Sequence, residues 1–348
     1  MSSAQRANEP HEHEIESAPL GLAPLPRPLR AVAIGGGTGL PAVLRGLRQV
    51  SRRLGHALSV EITAVVAMGD DGGSSGRIRR EYGLLPPGDV RRCLVALAES
   101  EGEANPLANL FQYRFARGRE LGGHSMGNLV LAALAEMEGD FLAGIRRAER
   151  LLGCAGRILP VTLDRIELIG LCEDGTQVVG QHRFVQGRQK KIRKIEISPH
   201  APAASPGVLE AIRAADVIIM GPGSLYSSVI ANLLVDGVAE ALRRHPGCRI
   251  LVQNLSGQPG ESRGMSAAAH VEAVLAHAGE VIDVLLVDPG ARSVRNGEDR
   301  VLCDMREVLS LGVLPVEADL VASSERLAHD PEKTALAIVA LALSAMEV

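Results

Sequence analysis

Asp70 and Asp71 stand side by side in the run Asp70-Asp71-Gly72-Gly73-Ser74-Ser75-Gly76-Arg77, two carboxylates among glycines and hydroxyls. Oxygen donors of this kind suit a hard divalent cation such as Mg2+, which takes one or two carboxylates and bridges to phosphate oxygens. The same groups suit general-base work on a hydroxyl nucleophile. Adjacent side chains point in different directions, so one carboxylate is expected to face a ligand, with Asp70 the candidate metal ligand. Ser74 and Ser75 add hydroxyls. Arg77 adds a guanidinium for phosphate, with Arg79 and Arg80 as further partners. The plainer reading is a polar loop whose serines cap a helix.

Two further glycine turns suit phosphate. Residues 31–34 are apolar and run into Gly35-Gly36-Gly37-Thr38-Gly39, with a helix expected from Leu40. Strand, glycine turn and helix together let backbone N–H groups approach an anion at the positive end of the helix dipole. Gly221-Pro222-Gly223-Ser224 repeats that order after another apolar run. The first turn also fits a dinucleotide fingerprint through Gly37, Gly39 and Ala42. The acid that should hold a ribose, Asp70, lies 33 residues beyond Gly37, where about 20 is usual. NAD is therefore disfavoured, and two cradles suit a diphosphate or two phosphorylated ligands.

His124-Ser125-Met126-Gly127-Asn128 places His124 and Asn128 one helical turn apart. His124, Ser125 and Asn128 are candidate contacts to a base, ribose or sugar. Asn254, Gln258 and Glu261 follow another strand and are candidates for the pocket wall. Pro86-Pro87-Gly88-Asp89 reads as a rigid turn with Asp89 as the cap of a helix over 90–100. The basic run 188–194 reads as a solvated hairpin edge, and His11 and His13 as tail composition.

These motifs need elements to position them. The spacing predicts strands at 31–36, 60–68, 216–220, 249–255 and 281–287, with helices between, the first over 40–54. The fold class is α/β: a doubly wound, Rossmann-like, mainly parallel sheet. A helical insertion over about 89–153 and a small antiparallel insertion over about 156–197 interrupt it. Asp174-Gly175 marks a hairpin turn in the latter. Residues 1–29 read as a disordered tail, and 30–348 as a single domain. In such sheets ligands sit beyond the carboxyl ends of the strands, so all three glycine turns are expected on one edge.

The bulk composition excludes other classes. With 348 residues and 46% hydrophobic content, a large core is affordable to the chain. A net charge of -4, no Trp and 2% aromatics argue against nucleic acid. Five scattered Cys without a C-x-x-C exclude a zinc site or disulfide framework and fit a reducing cytoplasm. No stretch reaches the length of a membrane span. The apolar stretch 335–346 reads as a packed helix.

Six motifs in order carry a resemblance: Ile34-Gly-Gly-Gly-Thr-Gly39, Asp70 to Arg77, Pro86 to Asp89, His124 to Asn128, Gly221-Pro-Gly-Ser-Leu-Tyr226 and Gln258-Pro-Gly-Glu261. The set resembles the gluconeogenesis factor family (YvcK-like proteins), related to the CofD-like 2-phospho-L-lactate transferases, over about 30–320. The resemblance implies a cytoplasmic protein that binds UDP-sugars such as UDP-N-acetylglucosamine and regulates cell shape and wall synthesis on gluconeogenic carbon sources. It implies no established catalysis, a cell-wall regulatory protein as partner, and a homo-oligomer. The related transferases move a phospholactyl group from a guanosine diphosphate donor to a deazaflavin hydroxyl with Mg2+, where Asp70 or Asp71 would be catalytic. By the same resemblance, Gly36, Gly37 and Thr38 would hold one phosphate and Gly223 and Ser224 another, with Asn128 and Asn254 on base or sugar. The chain departs from the family in having Ser256-Gly257 where Met-Thr is usual.

Overall fold

A computed structural model describes residues 25–55, 57–99, 105–186, 191–292, 299–322 and 327–346. Most of the tail, 1–24, and residues 188–190 of the basic run lie outside these residues.

The main sheet has seven parallel strands: β1 Leu29–Gly35, β2 Val60–Val66, β3 Gly156–Pro160, β7 Val217–Met220, β8 Cys248–Val252, β9 Val284–Val287 and β10 Leu314–Glu317. Three more, β4 Glu167–Cys172, β5 Gln177–Val179 and β6 Ile192–Ser198, form a separate antiparallel sheet in the order β5-β4-β6. The main order is β10-β9-β8-β7-β1-β2-β3. The chain winds outward from β1 through β2 to β3, then returns to β7 on the other side of β1 and winds the opposite way. The switch point of the sheet therefore lies between β1 and β7.

The sequence explains this layout. Residues 62–66 of β2 and all of β7 and β9 are buried, as sheets covered on both faces require. Helix α1 Gly39–Leu54 lays Leu40, Val43, Leu44, Leu47, Val50 and Leu54 on the sheet. Burial of one such side chain contributes about 1.5–3 kcal/mol. Its outer neighbours include Arg52 and Arg53, near the negative end of the helix dipole. Five helices cross from β2 to β3: α2 Gly73–Tyr82, α3 Gly88–Leu97, α4 Pro106–Gln112, α5 Met126–Glu138 and α6 Phe141–Leu152. The apolar 335–346 stretch lies in the helix Pro331–Met346, with Thr334, Ala335, Ile338, Val339 and Ala342 buried.

Three expectations change. The antiparallel insertion does not begin at 156: Gly156–Pro160 pairs parallel with β2 and closes one edge of the main sheet. It opens on Gly and Arg and closes on Pro, so only Ile158 and Leu159 are left as an apolar run and nothing in its sequence stands out as a buried strand. Strand β10 is as short as β7 and β9 but contains Pro and Glu and is only partly buried, so no apolar run marks it. Asp89 is not a cap. Its helix starts one residue earlier, with Pro87 at the N-cap, and the Asp89 side chain points elsewhere.

Candidate functional site

Strands β2, β1 and β7 are neighbours, and each ends in a glycine turn, so the three turns share one sheet edge. The first and third interlock. A Cβ on Gly39 would collide with the Pro222 carbonyl, and one on Gly223 would sit 3.2 Å from the Gly36 carbonyl oxygen. Glycine is thus required at 39 by the close approach of two backbones. The third turn runs into a π-helical turn, Leu225–Ile230, where the Val229 N–H reaches back to the Ser224 carbonyl at 3.0 Å. Such turns recur at functional sites.

Neither turn is an open cradle throughout. The Gly37 N–H donates to Asp89 Oδ2 at 2.8 Å, and Arg92 Nε donates to the Gly37 carbonyl at 2.8 Å while pairing with Asp89. Asn254 Oδ1 accepts from the Gly223 N–H at 3.0 Å, and its Nδ2 donates to the Gly223 carbonyl at 2.7 Å. The carboxamide that was expected on a base or sugar instead mimics a backbone partner and fixes the third turn. The Thr38 and Gly39 N–H groups, at the start of α1, keep no partner among the described residues. The Thr38 hydroxyl makes no cap bond either.

A cleft of about 290 Å³ opens against these two turns, lined among others by Thr38, Gly39, Gly223, Asn254, Gln258 and His329. Gln258 Oε1 is buried without a partner. His329 Nε2–H donates to the Gln253 carbonyl at 3.0 Å, and burial lowers its pKa to about 4. His329 lay beyond every motif of the sequence, and no spacing signal marks it. At the departure from the family pattern, a Cβ on Gly257 would fall 2.9 Å from Arg263 Cα, so the backbone has closed over that position. Glu261 is 6% exposed and caps the π-helical turn, accepting from the N–H groups of Tyr226 and Ser227 and from the Ser227 hydroxyl at 2.5 Å.

The two carboxylates of the second turn part company, as adjacent side chains should. Asp71 turns to the small sheet and accepts from the His182 N–H at 2.7 Å. This bond makes it a clamp between the two segments. Asp70 accepts from the Gly72 N–H at 3.1 Å and bonds Ser75. Burial pushes the Asp70 carboxyl up, and the charge of Asp89 pushes it further. A Cβ on the intervening Gly88 would touch both Ser75 Oγ and Asp70 Oδ2. Asp70 and Asp89 are thus near enough for their charges to repel, a neighbourhood that the Pro-Pro-Gly-Asp motif signalled without naming its partner. Two carboxylates near hydroxyls fit Mg2+, which keeps several waters. Among the described residues no group of three or more His, Cys, Asp or Glu is arranged for a metal, which disfavours zinc.

The remaining motif residues form a buried network. Ser74 Oγ contacts His124 Nδ1 at 3.1 Å, the Ser125 N–H at 3.3 Å and Asn128 Nδ2 at 3.0 Å. Asn128 Oδ1 accepts from Arg91 Nε at 3.0 Å, and Ser125 Oγ donates to the Phe111 carbonyl at 3.2 Å. Arg91 is 7% exposed, and burial, then the charge of Arg92, lowers its pKa to about 10, so it stays cationic at neutral pH. Arg77 donates to the Gly122 carbonyl at 2.8 Å and Arg79 to that of Ile166 at 2.5 Å. Ser74, Ser75, Ser125 and Asn128 therefore spend their polar atoms within the protein. Arg77, His124, Thr38, Gly39, Ser224 and Gln258 remain the expected site residues best placed for a ligand. Arg91, Arg92 and Asp89 are supports that the motif reading missed.

Comparison with known proteins agrees with this architecture. The family described as 2-phospho-L-lactate transferase CofD matches residues 31–321. The gluconeogenesis factor of Halalkalibacterium halodurans is 40% identical over 317 residues, covering 88% of this chain and 95% of that protein. The gluconeogenesis factor of Bacillus subtilis is 37% identical, covering 88% and 96%. A Thermotoga maritima protein named putative gluconeogenesis factor is 44% identical over 75% of this chain and 79% of its own. A crystal structure of a Bacillus halodurans protein superposes with a TM-score of 0.82 at 38% identity, covering 90% of this chain and all of that one. The shared fold, the ordered motifs and these matches place the chain in the CofD family, among the gluconeogenesis factors.

Proposed function

We propose that this protein binds a nucleotide sugar, of the UDP-N-acetylglucosamine type, and acts as a cytoplasmic regulator of cell shape and wall synthesis during growth on gluconeogenic carbon sources, rather than as an enzyme. The observation that carries the reading is the interlock of the turns after β1 and β7 at the switch point of the sheet, where open α/β folds bind ligands. The Thr38 and Gly39 N–H groups at the start of α1 suit one phosphate. Gln258 and Ser256 line the same cleft for the rest of the diphosphate and the base or sugar, with Ser224 next to the lining residue Gly223. At about 290 Å³ the cleft lies at the low end of ligand cavities, so part of the nucleotide would extend over the rim. A cell-wall regulatory protein would read the liganded state, and the chain would act as a homo-oligomer. Calorimetric titration with UDP-N-acetylglucosamine tests the reading: saturable heat at micromolar ligand is expected, and no heat at high micromolar ligand overturns it.

A second reading is favoured by one observation, the nearness of the Asp70 and Asp89 carboxylates beside the first turn. In it the chain is a Mg2+-dependent transferase of the CofD type, acting on a nucleotide diphosphate donor and a hydroxyl acceptor. Asp70 and Asp89 would hold Mg2+, which would neutralise charge on a diphosphate leaving group. Arg92 would keep Asp89 oriented, and Ser75 would orient Asp70. Mg2+-dependent product from a donor–acceptor panel, lost in Asp70→Asn, would support this reading over binding alone.

A further inference from the structure

His124 keeps one ring nitrogen unspent in the buried network. Its Nδ1 faces Ser74, while its Nε2 has no partner among the described residues and is not enclosed. The ring is held by a chain of bonds whose direction is forced. A guanidinium can only donate, so Arg91 Nε makes Asn128 Oδ1 the acceptor. That orients the carboxamide, and Asn128 Nδ2 donates to Ser74 Oγ. The Ser125 backbone N–H also donates to Ser74 Oγ. Both lone pairs of the hydroxyl are then used, and its proton has one destination, His124 Nδ1 at 3.1 Å. With Nδ1 an acceptor, the ring proton sits on Nε2.

The groups around the ring are known. Arg77, from α2, and Arg114, from the loop before α5, both lie close enough to disfavour a charged imidazole, and Glu81 is the acid that opposes them. Burial is the leading cause of the lowered pKa of His124. Arg77 spends one N–H on the Gly122 carbonyl, and Arg114 spends one on the Gly123 carbonyl at 2.7 Å. Each guanidinium carries five N–H donors, so both forks have donors left at the 122–124 corner.

We propose that His124 is a specificity-determining residue of an anion subsite at the 122–125 corner, where a neutral Nε2–H, set by the relay from Arg91 through Asn128 and Ser74, donates to a phosphate or carboxylate oxygen held between Arg77 and Arg114. The subsite adjoins the second glycine turn, which supplies Ser74 and Arg77, and draws no residue from the first or third. It deepens the nucleotide-sugar reading and rests on it for the identity of the ligand alone, because the tautomer is fixed by protein atoms. A neutral donor between two cations adds direction to the subsite without adding a third charge.

The test uses the full chain labelled with 15N-histidine, at pH 7. Two-bond 15N–1H spectra, with His124 assigned through its loss in His124→Gln, are expected to show a protonated Nε2 and an unprotonated Nδ1. A protonated Nδ1, or a charged ring, overturns the inference. Ser74→Ala removes the forcing donor and is expected to give a mixture of tautomers; an unchanged spectrum overturns the relay. Titration with inorganic pyrophosphate and with UDP-N-acetylglucosamine follows. His124→Gln returns an amide donor near Nε2, whereas His124→Asn places it near Nδ1. The Gln variant is expected to keep affinity within about threefold and the Asn variant to lose about tenfold or more, the scale of one charge-assisted hydrogen bond. Equal losses in both overturn the proposal. Pyrophosphate shifting the His124 signal with no response to the sugar nucleotide sustains the subsite and sinks the proposed ligand. Sugar nucleotide binding with His124 unmoved does the reverse.

Discussion

The Gly37 N–H donates to the Asp89 carboxylate at 2.8 Å across 52 residues of chain, so the first glycine turn is bound by an anion of the protein's own. Gly37 has φ of +64°, a conformation open to glycine, and a Cβ on Gly36 would run into the same carboxylate. The turn and Asp89 are therefore one unit, with Arg92 closing it from the carbonyl side. Asp89→Ala strands a half-buried N–H and unpairs Arg92. A loss of about 1–3 kcal/mol is expected, read as a lower denaturation midpoint in urea at an unchanged slope. Asp89→Asn keeps an acceptor for Gly37 and is expected to cost less.

Gly39→Ala should separate ligand binding from gross folding. The added methyl meets the Pro222 carbonyl, so the first and third turns must move apart. Overpacking of this kind costs about 1–3 kcal/mol. Because the cleft lies between these turns, the expected outcome in calorimetry is a loss of nucleotide-sugar affinity well beyond that of Ala42→Gly, which alters the same lining at a position with room. Equal affinities in the two variants would place the ligand elsewhere.

Asp71 and Asp70 should behave as different residues despite their adjacency. Asp71→Ala removes the acceptor for the His182 N–H, which ties the second glycine turn to the small sheet. Faster hydrogen exchange in 167–186 is expected, with Mg2+ affinity close to that of the unaltered protein. Asp70→Asn is expected to give the opposite pair of results, weaker Mg2+ binding and unchanged exchange in that segment.

Acid should weaken the fold before carboxylates are titrated. His329 is lowered to about 4, and His124, His245, His270 and His277 are all lowered, with burial the leading cause in each. A base with a depressed folded-state pKa contributes stability that is whole above the unfolded value, near 6.5, and lost as pH falls through the folded one. His329 alone accounts for about 2–3 kcal/mol between pH 6.5 and pH 4. Urea midpoints at pH 7.5, 6 and 5 are expected to fall in that order. His329→Gln, which retains a neutral donor for the Gln253 carbonyl, is expected to flatten part of the slope.

The sheet was legible from particular residues because buried parallel strands are short apolar runs closed by glycine, as 31–35 and 217–221 are. Strand β3 was not, since Gly156 and Arg157 open it and Pro160 closes it, leaving Ile158 and Leu159 alone as an apolar run. The site was legible as a set of motifs and opaque as a set of roles. Asn254, Asn128, Ser74 and Ser125 have the chemistry of ligand contacts, and each is spent on the protein itself. Residue type reports what a group can bond, and distant neighbours decide what it does bond.

The sequence by itself determined the order of strands, glycine turns and helices, the oxygen-rich chemistry of 70–77, and the family, because these depend on local periodicity and on motif strings. Tertiary structure alone decided that Asp89 faces Gly37, that Asp71 turns away, that the first and third turns interlock, and that His124 carries its proton on Nε2. Each of these is a pairing between segments tens to hundreds of residues apart. Such pairings are set by strand order at the switch point and by hydrogen-bond direction in a buried network, and neither leaves a periodic trace in the chain.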